Sequence, residues 1–296
     1  MWVLFSVLTA LAWGASETIF KRSSEGDERS VVRLLAYNGV VYGVSGVIYM
    51  IINYVVTGVS FEVSSIAKYA PIAATYILSM FFYYNAMSRA KISIVSPIVN
   101  TSCIVTAALG VIILRQRPSV VQIAAIAAII VSIVVLSLAE GRAADKEQGL
   151  TGNSKAMFIT GLIFAFGYFV FDGVASFMDD YTLDEALSEF DVIVAYALIY
   201  LAVGIFCLIY LKITDKDYRF SFDRLKFIGT LFETSGQYTF VFALGSGMSS
   251  VVSPFIASYS AVTIVLSRIF LKEKLKKEQY ICVAVIVAGL VALSAE

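Results

Sequence analysis

Three acidic side chains set inside long apolar stretches are the residues of this sequence with the most chemistry to offer. Glu233 lies in FIGTLFETSGQYTFVFAL, with Gln237 four residues on and therefore on the same helical face, and with Gly229 and Gly236 allowing another backbone to come close. Asp172 lies in FAFGYFVFDGVASF, framed by Tyr168, Phe169 and Phe171. Glu17 follows Trp13 by four residues and precedes Lys21 by four. A charged side chain at the centre of a spanning helix costs about 2.5–3.5 kcal/mol on insertion scales, so a carboxyl group kept there serves a purpose. Glu233 is the first candidate for a cavity carboxylate that binds a cation or carries a coupling proton; the competing role is an interhelical hydrogen bond to a Tyr or Ser. Asp172, in its aromatic setting, is suited to carrying a proton. Glu17 either pairs with Lys21 at the interface or forms, with the Trp13 indole, a corner that recognises an amine.

Composition says what must position these groups. The 296 residues are 59% apolar and 15% charged with a mean hydropathy of +0.84, against about 45–50% and about 25% for a globular domain, so the chain is a membrane protein. Its 22 basic and 22 acidic residues and its lack of histidine exclude nucleic-acid binding by bulk charge, histidine metal sites and histidine-based triads. Cys103, Cys207 and Cys282 lie in apolar runs without C-x-x-C spacing and read as small buried hydrophobes. No metal, cofactor or catalytic residue is expected. The first apolar run has no basic segment before it and no small-residue cleavage site after it, so it reads as a retained span rather than a signal peptide.

Crossing a bilayer takes about 20 mainly apolar residues, and ten stretches qualify: 2–20, 34–57, 67–88, 91–114, 118–139, 156–178, 190–211, 225–245, 247–270 and 277–295. They are too long and continuous for barrel strands, which leaves an all-α integral membrane fold. The polar stretch 140–155, EGRAADKEQGLTGNSK, separates two groups of five, 1–139 and 156–296. A repeat spans it: the run from Ser93 aligns without gaps with the run from Ser250, about 15 of some 45 positions being identical, with Pro97 on Pro254 and Gln122 on Gln279. Five spans is an odd number, so the second copy enters the membrane in the opposite sense, and the ten helices form two inverted five-helix repeats, an architecture of secondary transporters.

The prolines recur in matching places. Each removes a backbone donor and frees a carbonyl about one turn earlier, which is tolerated at membrane depth where the site faces protein or water. Asn100, Thr101 and Ser102 follow Pro97, and Ser258, Tyr259 and Ser260 follow Pro254, so both kinked helices offer hydrogen-bonding groups at the expected binding region. Their alternative is helix packing by small polar residues. Tyr76 takes the position of Glu233 in the first repeat and is expected to approach the same cavity. The other tyrosines of the second and third spans (Tyr37, Tyr42, Tyr49, Tyr54, Tyr83, Tyr84) read as packing or interfacial residues, Arg268 as a snorkelling cation, and Gly39 and Gly43 as a packing seam.

The blocks YYNAMSRAKISIVSPIVNTSCIVTAALGVIILRQR and VFALGSGMSSVVSPFIASYSAVTIVLSRIFLKEKL resemble the signature of the EamA-like, ten-helix members of the drug/metabolite transporter superfamily, over almost the whole chain. Trp13-Gly14 is similar to the family's first-helix motif, and Lys272-Glu273-Lys274-Leu275 to its basic-acidic turn. The first half departs from that pattern: Arg115-Gln116-Arg117-Pro118 stands where the family commonly has an acid, so whatever that acid does falls to the second copy alone or is not done. Orientation is read in two ways. All but Lys68, Arg115 and Arg117 of the 22 basic residues fall in loops after odd-numbered spans, which puts both termini outside, whereas the resemblance implies termini in the cytoplasm. The charge bias is large and is followed here.

The leading expectation is a cell-membrane secondary-active or facilitative transporter of a small organic metabolite, working by alternating access. Three intramembrane carboxylates against one arginine, among many aromatics, favour a cationic or zwitterionic substrate: an amine, a quaternary ammonium compound or an amino acid. A proton or sodium ion is the expected coupling partner, no nucleic acid is expected, and a chain holding both repeats is expected to work as a monomer. No Walker A sequence is present. The alternative is an intramembrane enzyme acting on a lipid-linked substrate, with Asp172 and Glu233 as acid and base. The missing histidine and the repeat argue against it.

Overall fold

A computed structural model describes residues 1–23, 28–89, 92–147, 155–214, 222–271 and 277–295. Helices account for all the regular structure among them, because a helix satisfies its backbone groups internally where no water can. The first half holds α1 (Trp2–Ser23), α2 (Glu28–Thr57), α3 (Ser64–Arg89), α4 (Ile92–Val99), α5 (Cys103–Ile112) and α6 (Val120–Glu147). The second holds α7 (Lys155–Glu185), α8 (Glu189–Thr214), α9 (Arg224–Leu244), α10 (Ser249–Ala257), α11 (Tyr259–Leu266), a π-helical turn at Ser267–Leu271, and α12 (Lys277–Ser294).

Among the described residues, ten spans are built from twelve α-helices, since the fourth and ninth spans are each broken in two. Among the described residues nine spans are long and apolar enough to cross a bilayer. The tenth, α9, has 21 residues, about 31 Å of helix, and so the length to cross; Glu233, Thr234, Ser235 and Gln237 lower its apolarity. The least apolar span is thus the one that carries Glu233 and Gln237.

Several boundaries differ from those expected. The stretch 140–155 is helical at its start, as α6 runs to Glu147, and Lys155 opens α7; residues 148–154 lie outside the described residues. The sixth span, expected to stop at 178, continues to Glu185 and carries Asp179 and Asp180 on its last turns, because those acids find partners in the bundle. Lys272, Glu273, Lys274 and Leu275 also lie outside the described residues.

The two halves interlock as inverted repeats. Helix α1 packs on α9 and α11, as its counterpart α7 packs on α3 and α5, while α2 pairs with α8 and α6 with α12, so exchanging the halves carries each of these pairs onto itself or onto another of them. The symmetry reaches single atoms. Thr106 on α5 donates to the Gly173 carbonyl on α7 at 2.9 Å, and its repeat mate Thr263 donates to the Gly14 carbonyl on α1 at 3.5 Å. A Cβ on Gly173 would meet Val105 and the Ser102 carbonyl; one on Gly14 would meet Val262 and the Tyr259 carbonyl, the pairs that the repeat superposes. Cys103, Cys207 and Cys282 are buried free thiols, and the exposed Arg268 lies in the π-helical turn.

Gly39 belongs to the α2–α8 seam, where a Cβ would come 2.5 Å from the Cα of Gly204. Gly39→Ala should therefore push the halves apart and lower stability by about 1–3 kcal/mol, as overpacking does, whereas Val40→Ala on the exposed face should change little. Thermal unfolding of the purified variants measures the difference, and equal melting of Gly39→Ala and the parent would show that the seam is not tight.

Candidate functional site

Both broken spans come apart just after their prolines rather than before them. Past Pro97, Asn100 still bonds back to Ser96 at 3.0 Å, but Thr101 and Ser102 turn on the tighter bonds to Ile98 and Val99, both 3.3 Å, before α5 begins. Past Pro254, Ser258 bonds to Phe255 at 3.2 Å and itself accepts from Ala261 at 2.9 Å. The chain absorbs each proline within a helix and breaks three to five residues later, where polar side chains and tightened turns meet the backbone's needs.

The breaks bring one cavity together. It measures about 100 Å³ and is lined by Glu17, Met80, Tyr83, Val99, Asn100, Tyr168 and Tyr259, drawn from α1, α3, α4 and the first break, α7, and α11. Room for a water takes about 10–15 Å³ in such a measure, so this space admits a few waters or the head of a small molecule. Glu17 is exposed, and its Oε2 accepts a 2.7 Å hydrogen bond from the Thr263 hydroxyl, which fixes the carboxylate at the cavity wall. The side chain of Lys21, its expected ionic partner, lies outside the described residues. Tyr83 and Tyr168 lie 5.4 Å apart by ring centroids. Tyr259 is backed by Trp13 in an edge-to-face contact at 6.1 Å, and Trp13 in turn packs on Phe240 at 5.3 Å.

Of the candidates read from the sequence, Glu17, Asn100 and Tyr259 line this cavity, and Trp13 supports it from behind. Asn100 also donates to Ser137 at 3.0 Å. Glu233 is not in the lining; it sits on α9 facing Ser16, within electrostatic reach of Glu17 and Tyr259, with its backbone carbonyl accepting from Tyr42 at 3.2 Å. Gln237 is buried at 7% exposure, and its Nε2 has no hydrogen-bond partner; neither has the Trp13 Nε1, whose ring a Cβ at Gly236 would strike at 2.6 Å from that nitrogen. Two buried N–H donors, one on α1 and one on α9, thus stand without acceptors. Ser258 is buried and its hydroxyl likewise has no partner, while Pro97 and Pro254 lie in α4 and α10 outside the lining.

Asp172 stands just behind the cavity wall. Its Oδ2 accepts from Ser102 at 2.7 Å, which ties the first break to α7, and Tyr168 lies beside the same carboxyl. Tyr76 does not do what its repeat position suggested. Its hydroxyl turns to α7 and donates to Asp179 Oδ2 at 2.8 Å, while Tyr69 donates to Asp179 Oδ1 at 2.7 Å. The expectation that Tyr76 shares the Glu233 cavity is corrected by this bond, because a fully buried carboxylate draws the nearest strong donors.

Asp179, at 0% exposure, was missed in the sequence because it fell past the expected end of the sixth span. A signal existed: Asp172 and Asp179 are seven residues apart on one face of a helix, as are Tyr69 and Tyr76 on α3. Asp180, 2% exposed, accepts from Gln116 at 2.8 Å. A second, wider space of about 390 Å³ opens there, lined by Leu114, Gln116, Asp180 and the turn from Leu244 to Met248.

Comparison with known proteins places this arrangement. A family model described as the EamA-like transporter family matches residues 1–138 and again residues 156–295. A solved crystal structure superposes with a TM-score of 0.77 over 99% of this chain and 97% of that one, at 14% identity, a likeness of fold. No curated protein matches the sequence at a significant level. With both halves matched and the multi-pass fold in place, the chain belongs to the EamA-like transporter family, a family of membrane transporters.

Proposed function

We propose that the chain carries a small cationic or zwitterionic metabolite, an amine, a quaternary ammonium compound or an amino acid, across the cell membrane by alternating access of its two halves. The observation that carries this reading is a carboxylate, Glu17, set among Tyr83, Tyr168 and Tyr259 in a cavity between the repeats. Aromatic rings attract a cation through their negative faces, and a carboxylate in partly desolvated surroundings adds a charge-assisted bond. Glu233 and Asp172 are then available to carry a coupling proton, or to share a sodium ion with substrate. The basic loops lie on the cytoplasmic side, which leaves both termini outside, and one chain with both repeats works as a monomer.

A thermal-shift screen of the purified protein tests the charge class before any flux assay. Amines, quaternary ammonium compounds, amino acids, sugars and nucleotide-sugars are compared, since a ligand at 100 times its Kd adds about 2.7 kcal/mol to native stability. Stabilisation by a cationic or zwitterionic compound, lost in Glu17→Gln, is the expected result. Stabilisation by sugars or anions alone, equal in the variant, would overturn the substrate class.

A further inference from the structure

We infer that Gln116 is a latch that shuts one end of the transport path by capping, from the first repeat, a helix of the second. This rests on the alternating-access reading and concerns the end of the path opposite the Glu17 cavity. Helix α10 begins after Met248, which offers it no side-chain cap, so the free N–H groups of its first turn need an acceptor from elsewhere. Gln116 supplies it: Oε1 accepts from the Ser250 N–H at 2.9 Å and from the Ser249 hydroxyl at 3.4 Å. The other end of the same amide donates to Asp180 on α7 at 2.8 Å. One side chain therefore joins the end of α5 to two helices of the other half.

The backbone is shaped to deliver it. Arg115 adopts φ +54°, the one non-glycine residue with positive φ among the described residues, and the Gln116 N–H then donates back to Gly110 at 3.2 Å. Such a conformation is strained by about 1 kcal/mol or more and persists where the surroundings hold it. Gly110 makes room, since a Cβ there would meet Gln116 Oε1 at 2.6 Å and Ser249 Oγ at 2.8 Å.

Position gives the contact its role. Gln116 and Asp180 line the wider space of about 390 Å³, whereas Tyr168 lines the inner cavity of about 100 Å³. Asp172, beside Tyr168, and Asp180 are eight residues apart on α7, about 12 Å along the helix. The amide stands on the route from the wider space towards that cavity, and opening the route from this end requires its bonds to α10 and α7 to break. A neutral amide suits this place, because its N–H group meets the Asp180 carboxylate and its carbonyl meets a backbone N–H, a pairing that a carboxylate here would not provide. The departure from the family's acid at this position thereby acquires a physical reason.

The test reads accessibility rather than transport. In a background with Cys103, Cys207 and Cys282 replaced by Ala, Ser176→Cys on α7, one turn before Asp180, is exposed to a membrane-impermeant maleimide on sealed cells, and Ser246→Cys in the exposed turn before α10 identifies the face being probed. Gln116→Met keeps the bulk and removes the polar ends; it should raise labelling of the Ser176→Cys reporter from the Ser246 face at least ten-fold. Asp180→Asn still accepts from the amide and should leave labelling within two-fold. Labelling of Gln116→Met at the parent rate overturns the latch. If Gln116→Met does not reach the membrane, Asp180→Ala cuts the α7 bond with the same expected rise, and an unchanged rate there overturns the proposal equally. Absence of ammonium binding in the thermal-shift screen would sink the substrate reading and leave this labelling ratio standing.

Discussion

Glu17→Gln should lower transport of a cationic substrate about 100-fold while leaving folded protein in the membrane. Glutamine has the same shape, and its amide oxygen can still accept the Thr263 hydroxyl, so the α1–α11 contact survives. What is lost is the charge. A hydrogen bond to a charged group contributes about 1.5–3 kcal/mol, and about 2.7 kcal/mol corresponds to 100-fold. Glu233→Gln should have an effect of similar size on coupled or cation-specific transport, since Glu233 lies within electrostatic reach of Glu17. The two should not add, because neighbouring charges that serve one cation act as a unit. Initial rates in proteoliposomes, with and without an imposed proton gradient, separate their roles: a binding carboxylate alters the rate with or without the gradient, whereas a proton carrier alters the response to it. Parent-like kinetics in Glu233→Gln would remove that residue from the site, and parent-like kinetics in Glu17→Gln would remove the cavity.

The spans, the repeat and its inversion were legible because they are written in hydropathy and in an ungapped match from Ser93 to Ser250, and lipid leaves a chain of this composition few alternatives to helices. The breaks were only half legible. Proline marks where a donor is missing, but where the helix yields depends on which later residues can take up the turn, and Asn100 to Ser102 and Ser258 do so through bonds that run to their own neighbours and across to other spans. Ranking the acids by depth put Glu233 first, yet the cavity wall holds Glu17, because α1 is turned towards α11 and α9 presents Glu233 to Ser16. Depth measures cost; it does not say which wall a side chain faces. Gln116 was visible as a departure from a pattern, but its meaning needed Ser250 and Asp180 to be seen on either side of it.

Asp179→Leu should destabilise the protein more than any cavity substitution, and the reason lies in what it leaves behind. Both carboxyl oxygens of Asp179 are engaged by phenol groups, Tyr69 at 2.7 Å and Tyr76 at 2.8 Å, in a place with no exposure, and these bonds hold α3 to α7 across the two halves. Leucine strands two hydroxyls. An unsatisfied buried donor costs about 1–3 kcal/mol, and interhelical bonds in bilayers measure about 0.6 kcal/mol on average, so a loss of about 2–5 kcal/mol is expected, read as a lower thermal midpoint. Tyr76 keeps a weaker contact with Ser176 at 3.4 Å, which places its share at the low end. The decisive comparison is the triple variant Tyr69→Phe, Tyr76→Phe, Asp179→Leu. Removing donors and acceptor together leaves nothing unpaired, so it should regain most of the stability that Asp179→Leu loses. If the triple variant melts as low as Asp179→Leu alone, the cost is one of packing and not of stranded hydroxyls. If it melts normally yet no longer transports, the carboxyl group of Asp179 is needed for movement rather than for holding α3 to α7, and it joins Glu17 and Glu233 among the groups proposed to take part in transport.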